Sequence, residues 1–328
     1  MKKISFKFLT LFLALIFFVG VASAITIESK KQEIRPDENK GYFTGDVKVQ
    51  VGDVVVTSPT ADLDLEPETK KPSIATFFDK PYAIQIKDNK KHEVKADIIK
   101  VSLIKKIITA EGNAQTNVLE DKKPTVIVSS NVQEYDTNTN LMTAVGSVVI
   151  NYEDIVATSD KAYALMDKNG DIHNLKLSSR ATVKQDKSII RGDNIVYSKQ
   201  KQDITVNGNA HSDVTFENGD RVIVDSRMQQ YNRLGNTIMA SGTVHVKYSD
   251  YIADGPKAIM HIDPKTNKPQ KIIFIGRSKI VEKGVNSVEA DKITMIMNPR
   301  KFEAIGNVKT NIEQNNNKNE KDEMEFSL

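Results

Sequence analysis

The sequence predicts an all-β fold, an elongated stack of units of about 33 residues around one continuous apolar interior. Three observations carry this. A short glycine-centred phrase recurs along the chain, and apolar residues flanking it alternate with polar ones at period two. No window keeps an i, i+3, i+4 stripe beyond about two turns.

The first 24 residues stand apart. Lys2, Lys3 and Lys7 give a basic start, Phe8–Gly20 is an apolar run broken only by Thr10, and Ala22 and Ala24 are small residues before a cleavage point. That order is the one a cleavable secretory signal peptide requires, so 1–24 is expected to direct the chain out of the cytoplasm. An uncleaved anchor is the competing reading, since Ile4–Ala24 is just long enough to span a bilayer.

The chain has 46 Lys and Arg, 43 Asp and Glu, and no Cys or Trp. Three of the 46 basic residues lie in the first seven and no acid lies in the first 24, so the remainder balances at 43 of each. A balanced chain lacks the basic field that nucleic-acid binding needs. Without Cys there is no disulfide framework, thiolate metal site or cysteine nucleophile.

From there the chain reads as strands turning corners. The corners are Thr44-Gly45-Asp46, Asp79-Lys80-Pro81, Glu111-Gly112-Asn113, Val145-Gly146-Ser147, Ser179-Arg180-Ala181, Asn207-Gly208-Asn209, Ser241-Gly242-Thr243, Gly276-Arg277-Ser278 and Ile305-Gly306-Asn307, spaced 29–34 residues apart. Glycine at such a point suits a strand bend or bulge. Val47/Val49/Val51, Val148/Ile150/Tyr152 and Val244/Val246/Tyr248 then alternate with polar residues, as half-buried strands do. Asp136–Asn140 and Asn232–Asn236 mark turns between runs.

A longer beat overlies the short one. Segments Val126–Gly146 and Val222–Gly242 align without a gap, sharing Val-Ile-Val, Ser, Gln (133 and 229) and Tyr (135 and 231). Residues 25–312 are therefore expected to form one continuous body of three superrepeats, about 45–145, 146–241 and 242–312. The polar segment 313–328 has no apolar alternation and is expected to be a mobile tail.

Catalytic patterns are missing. The five histidines, 92, 173, 211, 245 and 261, are scattered along strand or surface positions with no metal-ligand spacing. Asp167–Asp171 is similar to a calcium loop, but its glycine sits at position four and Ser178 stands where the bidentate Glu belongs. There is no nucleophile elbow and no phosphate-cradling loop. The expectation is a protein that is not an enzyme and carries no cofactor or metal.

Ile25-Thr26-Ile27-Glu28-Ser29, then Phe43-Thr44-Gly45-Asp46-Val47-Lys48-Val49 and Ala61-Asp62, resemble the start of the LptA/OstA family of periplasmic lipopolysaccharide-transport proteins. Asp79-Lys80-Pro81-Tyr82-Ala83-Ile84, Ala96-Asp97 and Glu111-Gly112-Asn113-Ala114 resemble the phrases that follow, so the likeness covers roughly 25–120 directly and the rest through the repeats. It implies a twisted antiparallel β-jellyroll open along one side. The chain is about twice an ordinary member's length, and the barrel of the outer-membrane member is missing, so an extended version of the periplasmic protein is expected.

The resemblance further implies a lipopolysaccharide or related glycolipid as cargo, its acyl chains shielded in an apolar groove. Ile25 and Ile27, then Ile84, then Val101 and Leu103 match the family's acyl-contacting positions, and strand alternation adds Val47 and Val49 as inward residues. It implies head-to-tail self-association and docking to inner-membrane LptC-like and outer-membrane LptD-like components by strand addition, with Ile27 and Val308 on the exposed edges. The same repeats would also suit a structural β-solenoid spacer or adhesin-like envelope protein without lipid cargo. A glycan-modifying enzyme fits poorly with a chain lacking Trp.

Overall fold

A computed structural model describes residues 25–312 apart from 52–53, 88–89, 121–122, 168–171, 217–218, 267, 283–285 and 298–299. The expected signal segment 1–24, most of the calcium-loop look-alike, and the tail 313–328 lie outside the described residues. Among the described residues 22 strands join one antiparallel sheet, as the period-two alternation predicts.

The sheet is a meander folded along its length. From Ile107–Glu120 to Asn286–Met297, each strand of 11 to 14 residues pairs with the one before and the one after. Nearly all of these ladders break once near the middle, as between Ser129 and Val132 or between Thr158 and Lys161. The first half of a strand therefore lies in one layer and the second half in another. The two layers face each other across the apolar side chains. At the amino end, shorter strands do the same work: Ile25–Glu28 and Lys31–Arg35 pair with the two halves of Lys40–Val51.

The breaks fall where the sequence places its corners. All nine first corner residues, Gly45, Asp79, Gly112, Gly146, Ser179, Gly208, Gly242, Gly276 and Gly306, have φ between 63° and 87°. Most are followed by a second left-handed residue, such as Asp46, Asn113 or Asn209. Two such residues in succession jog the strand from one layer into the other. The alternate strands bend by another device. Ser58, Ser130, Ser159 and Ser226 each donate a side-chain hydrogen bond to the carbonyl two residues on, at 2.9 to 3.1 Å.

The bent strands join the layers along one crease. Every described ladder runs within a layer, and no ladder links the two outer rims, so the body is open along one side. Each rim is a row of hairpin turns. One row is stitched lengthwise by backbone bonds such as Thr137 N–H to Lys106 O (3.0 Å) and Ile262 N–H to Asn236 O (2.9 Å).

The interior is lined by apolar side chains along its length. It forms two apolar clusters, one running from Phe43 to Tyr231 and one from Phe216 to Met295, with Ile238 against both. Near their junction sits a buried polar group. Gln229 donates to Ala210 O (3.1 Å) and Val224 O (2.9 Å), while its Oε1 accepts from Ser212 and Tyr231. Gln133, one superrepeat earlier, repeats this: it donates to Ala114 O and Val128 O, both 3.0 Å, and accepts from Thr116. Buried amides need such partners, and the superrepeat preserves them.

Candidate functional site

An apolar cavity of about 210 Å³ lies between the two layers at the amino end. Ile25 and Ile27 reach it from the first strand, whose register places them opposite Val51 and Val49. Val54, Val56, Ala61 and Leu63 follow from the strand Val54–Leu65, because alternate residues of a strand share a face. Phe43, Phe77 and Ile99 are buried and also line it, and Ala75, Ala83, Val101, Leu103 and Ile108 complete most of the wall. Asp62 is the one charged residue on the wall, and burial pushes its carboxyl up against the opposing pull of Lys40.

The wall here mixes small and branched side chains with Phe43 and Phe77. Downstream, Tyr135, Tyr152, Tyr197, Tyr231, Met142 and Met166 occupy the equivalent interior. The next openings shrink to about 50 Å³, around Leu175, Ile190 and Ile195, and about 10 Å³, around Met142 and Ile172. A groove of even width along the whole body is therefore not what the side chains build.

Of the residues singled out from sequence, Ile25, Ile27, Val49, Val101 and Leu103 come together around the cavity. Val47 is 1% exposed but sits two residues past the Gly45 corner, in the crease and off the cavity wall. Ile84 is misassigned. Ala83 and Gln85 are buried, so strand alternation turns Ile84 to the outer face, in register with Val55 and Glu93. Ile27 lies in the edge strand as expected. Val308 does not lie in a ladder: the left-handed pair Gly306 and Asn307 places it in a corner, and the edge is formed by Arg300–Ile305 and Lys309–Asn311. Sequence reasoning missed Phe43 and Phe77, each two residues before a corner, and Ile99, two before Val101.

The histidines serve the strands. His211 pairs with Asp225 at 2.6 Å and His245 with Asp254 at 2.7 Å across neighbouring strands, and His92 is buried. Among the described residues no group of three His, Cys, Asp or Glu is placed to hold a metal ion, and no helix is long and apolar enough to cross a membrane.

Residues 26–127, which contain nearly the whole cavity wall, match the family described as LptA/(LptD N-terminal domain) LPS transport protein. Among the solved structures that match is LptH of Pseudomonas aeruginosa, the LptA-homologous periplasmic component of its lipopolysaccharide transport device. It is 17% identical, over 38% of this chain and 84% of that one, with a TM-score of 0.33. No curated protein matches the chain.

Proposed function

We propose that this chain, whose residues 26–127 match the LptA/LptD N-terminal family, binds an acyl tail of a lipopolysaccharide or related glycolipid in its amino-terminal cavity and serves as a periplasmic transport bridge between the inner and outer membranes. One observation carries the reading: within the family-matched segment the two layers part around an almost wholly apolar cavity. Each Å² of acyl surface removed from water contributes roughly 25 cal/mol, so burying a few hundred Å² offsets several kcal/mol of exposure. Apolar contact has no preferred direction, which lets a tail slide rather than lock. The cavity of about 210 Å³ is below the roughly 300–1,000 Å³ of usual small-molecule sites, so a longer tail needs the rims to splay. Every described ladder runs within a layer, so splaying breaks none of them.

Ile25, Ile27, Val49, Val101 and Leu103 are the proposed tail contacts. LptC-like and LptD-like membrane components are the proposed partners, with copies of the chain joined end to end. The spacer reading is favoured for the part after about residue 128, where the cavities around Ile190 and Met142 measure about 50 and 10 Å³. The proposal is thus a lipid-holding end on a filled rod.

The test is displacement of a fluorescent acyl probe by purified lipopolysaccharide. Ala75→Phe, which grows into the cavity, is expected to weaken probe binding at least tenfold with the melting temperature held. Thr76→Phe, on the other face, is expected to leave binding unchanged. Equal binding by wild type and Ala75→Phe would remove the cavity from the function.

A further inference from the structure

The two outer faces of the body differ in its carboxyl-terminal half. On one layer, residues opposite one another on successive strands run His211, Asp225, His245, Asp254, Lys279, Glu289. Basic and acidic side chains alternate along this row. Neighbours close on each other, His211 to Asp225 at 2.6 Å, His245 to Asp254 at 2.7 Å and Lys279 to Glu289 at 4.0 Å. That face pairs its own polar groups.

The other layer, which ends in the stitched rim, is built differently. Ala240, Ala258, Met260, Ile272 and Phe274 are buried, so strand alternation turns Met239, Ile259 and Ile273 outward. Those three stand opposite one another on successive strands and are partly exposed. Lysines interleave with isoleucines on either side of them. Ile275, 40% exposed, lies between Lys257 and Lys292, and Ile296 lies between Lys271 and Lys301. These three rows hold no carboxylate over the five strands from Arg221–Asn232 to Asn286–Met297; Asp203 and Glu303 stand just beyond, on the flanking strands. Among the described residues Lys257, Lys271 and Lys292 make no ion pair. Burial, with Lys271 beside it, holds His261 below the usual imidazole value, so the lysines carry the charge of this face.

We propose that this lysine-flanked face rests on a bilayer surface of anionic headgroups. The charge is complementary: unpaired lysines spread over several strands meet a surface of one negative sign, and the attraction acts within a Debye length of it. The spacing suits a lipid surface as well. A lysine stem lies along apolar surface while its ammonium reaches up to a phosphate, which leaves Met239, Ile259, Ile273 and Ile275 to enter the boundary between headgroups and acyl chains. A fluid bilayer fits a twisted sheet without matched pockets, whereas a folded protein would need a carboxylate opposite each lysine and an apolar group opposite each isoleucine. The paired face on the other layer offers no such attraction, so contact is one-sided. This surface is separate from the amino-terminal cavity and holds whether or not that cavity takes an acyl tail.

Co-sedimentation with vesicles tests this. The wild-type protein is expected to bind vesicles of mixed phosphatidylglycerol and phosphatidylcholine at least tenfold more tightly than phosphatidylcholine alone, and added salt is expected to reduce the difference. Equal binding to both, or to neither, would overturn the proposal. Lys257→Glu with Lys271→Glu is expected to weaken binding to the anionic vesicles at least tenfold. Lys184→Glu with Lys247→Glu, the same change of charge on the outer face of the other layer, is expected to leave it within about twofold; an equal loss from both pairs would mean that net charge and not this face decides. Ile275→Ser, which keeps every charge, is expected to weaken binding several-fold, and an unchanged affinity would take the apolar row out of the contact. Retention on immobilised polyglutamate without vesicle binding would assign the face to an acidic protein and contradict the bilayer. Ala75→Phe, which fills the cavity, is expected to keep full vesicle binding. Its loss there would place the contact inside the body, whereas failure of the acyl-probe test with vesicle binding intact contradicts the cargo alone.

Discussion

A single strand position separates inside from outside at Val49 and Lys48. Val49 is buried and on the cavity wall, whereas Lys48 points outward, 3.9 Å from Glu28. Val49→Asp puts an unpaired carboxylate among apolar groups, a cost of several kcal/mol that is expected to lower the melting temperature and abolish probe binding. Lys48→Asp stays in water and is expected to change neither; equal damage from both would overturn the face assignment. Tyr135 gives a pH signature. Burial, with a smaller push from Asp136, raises its hydroxyl to about 12, and it donates to Asn140 at 3.1 Å. The unfolded chain ionises its tyrosines near pH 10, so this contribution to stability is complete below about pH 10 and is lost as pH rises toward the folded value. Thermal melts between pH 8 and 11.5 are expected to show that decline, with a shallower slope in Tyr135→Phe. An identical slope would mean Tyr135 ionises as freely folded as unfolded.

The corner is the element that makes this fold, and it was legible. Gly208 has φ of 73°, and a Cβ there would press on the Asp193 side chain. Gly208→Ala is expected to cost about 1–3 kcal/mol, read as a fall of several degrees in melting temperature, whereas Ala at the outward neighbour Thr205 is expected to be nearly neutral. A Gly208→Ala protein as stable as wild type would mean the left-handed corner is not required. The corners also set a parity. The residues two before and two after a corner residue are buried at each of the first eight, for example Phe43 and Val47, Phe77 and Pro81, Val206 and Ala210. Ile84, five past Asp79, therefore faces out; the resemblance misplaced it and the parity does not. Cavity size was not legible in the same way. It depends on which side chains meet across two layers from strands far apart in sequence, such as Val54 with Val101, and strand periodicity carries no record of that sum. Gln133 and Gln229 stood out in the alignment, but their burial did not.

As a whole, the molecule is a rod whose ends differ. Each layer stacks about eighteen strands at roughly 4.8 Å, a length on the order of 80 Å. One end holds the cavity, while toward the other Phe274, Ile293 and Met295 are buried. Stacking in one dimension lets the filled units keep their shape while the amino-terminal rims part. The central claim is that lipid enters only the amino-terminal interior. A photo-activatable residue at Val101, on the wall of the larger cavity, and one at Ile195, on the wall of the small downstream one, test it side by side with lipopolysaccharide-containing vesicles. The account predicts lipid cross-links from 101 and none above background from 195. Equal labelling at both positions, or none at 101, would contradict it.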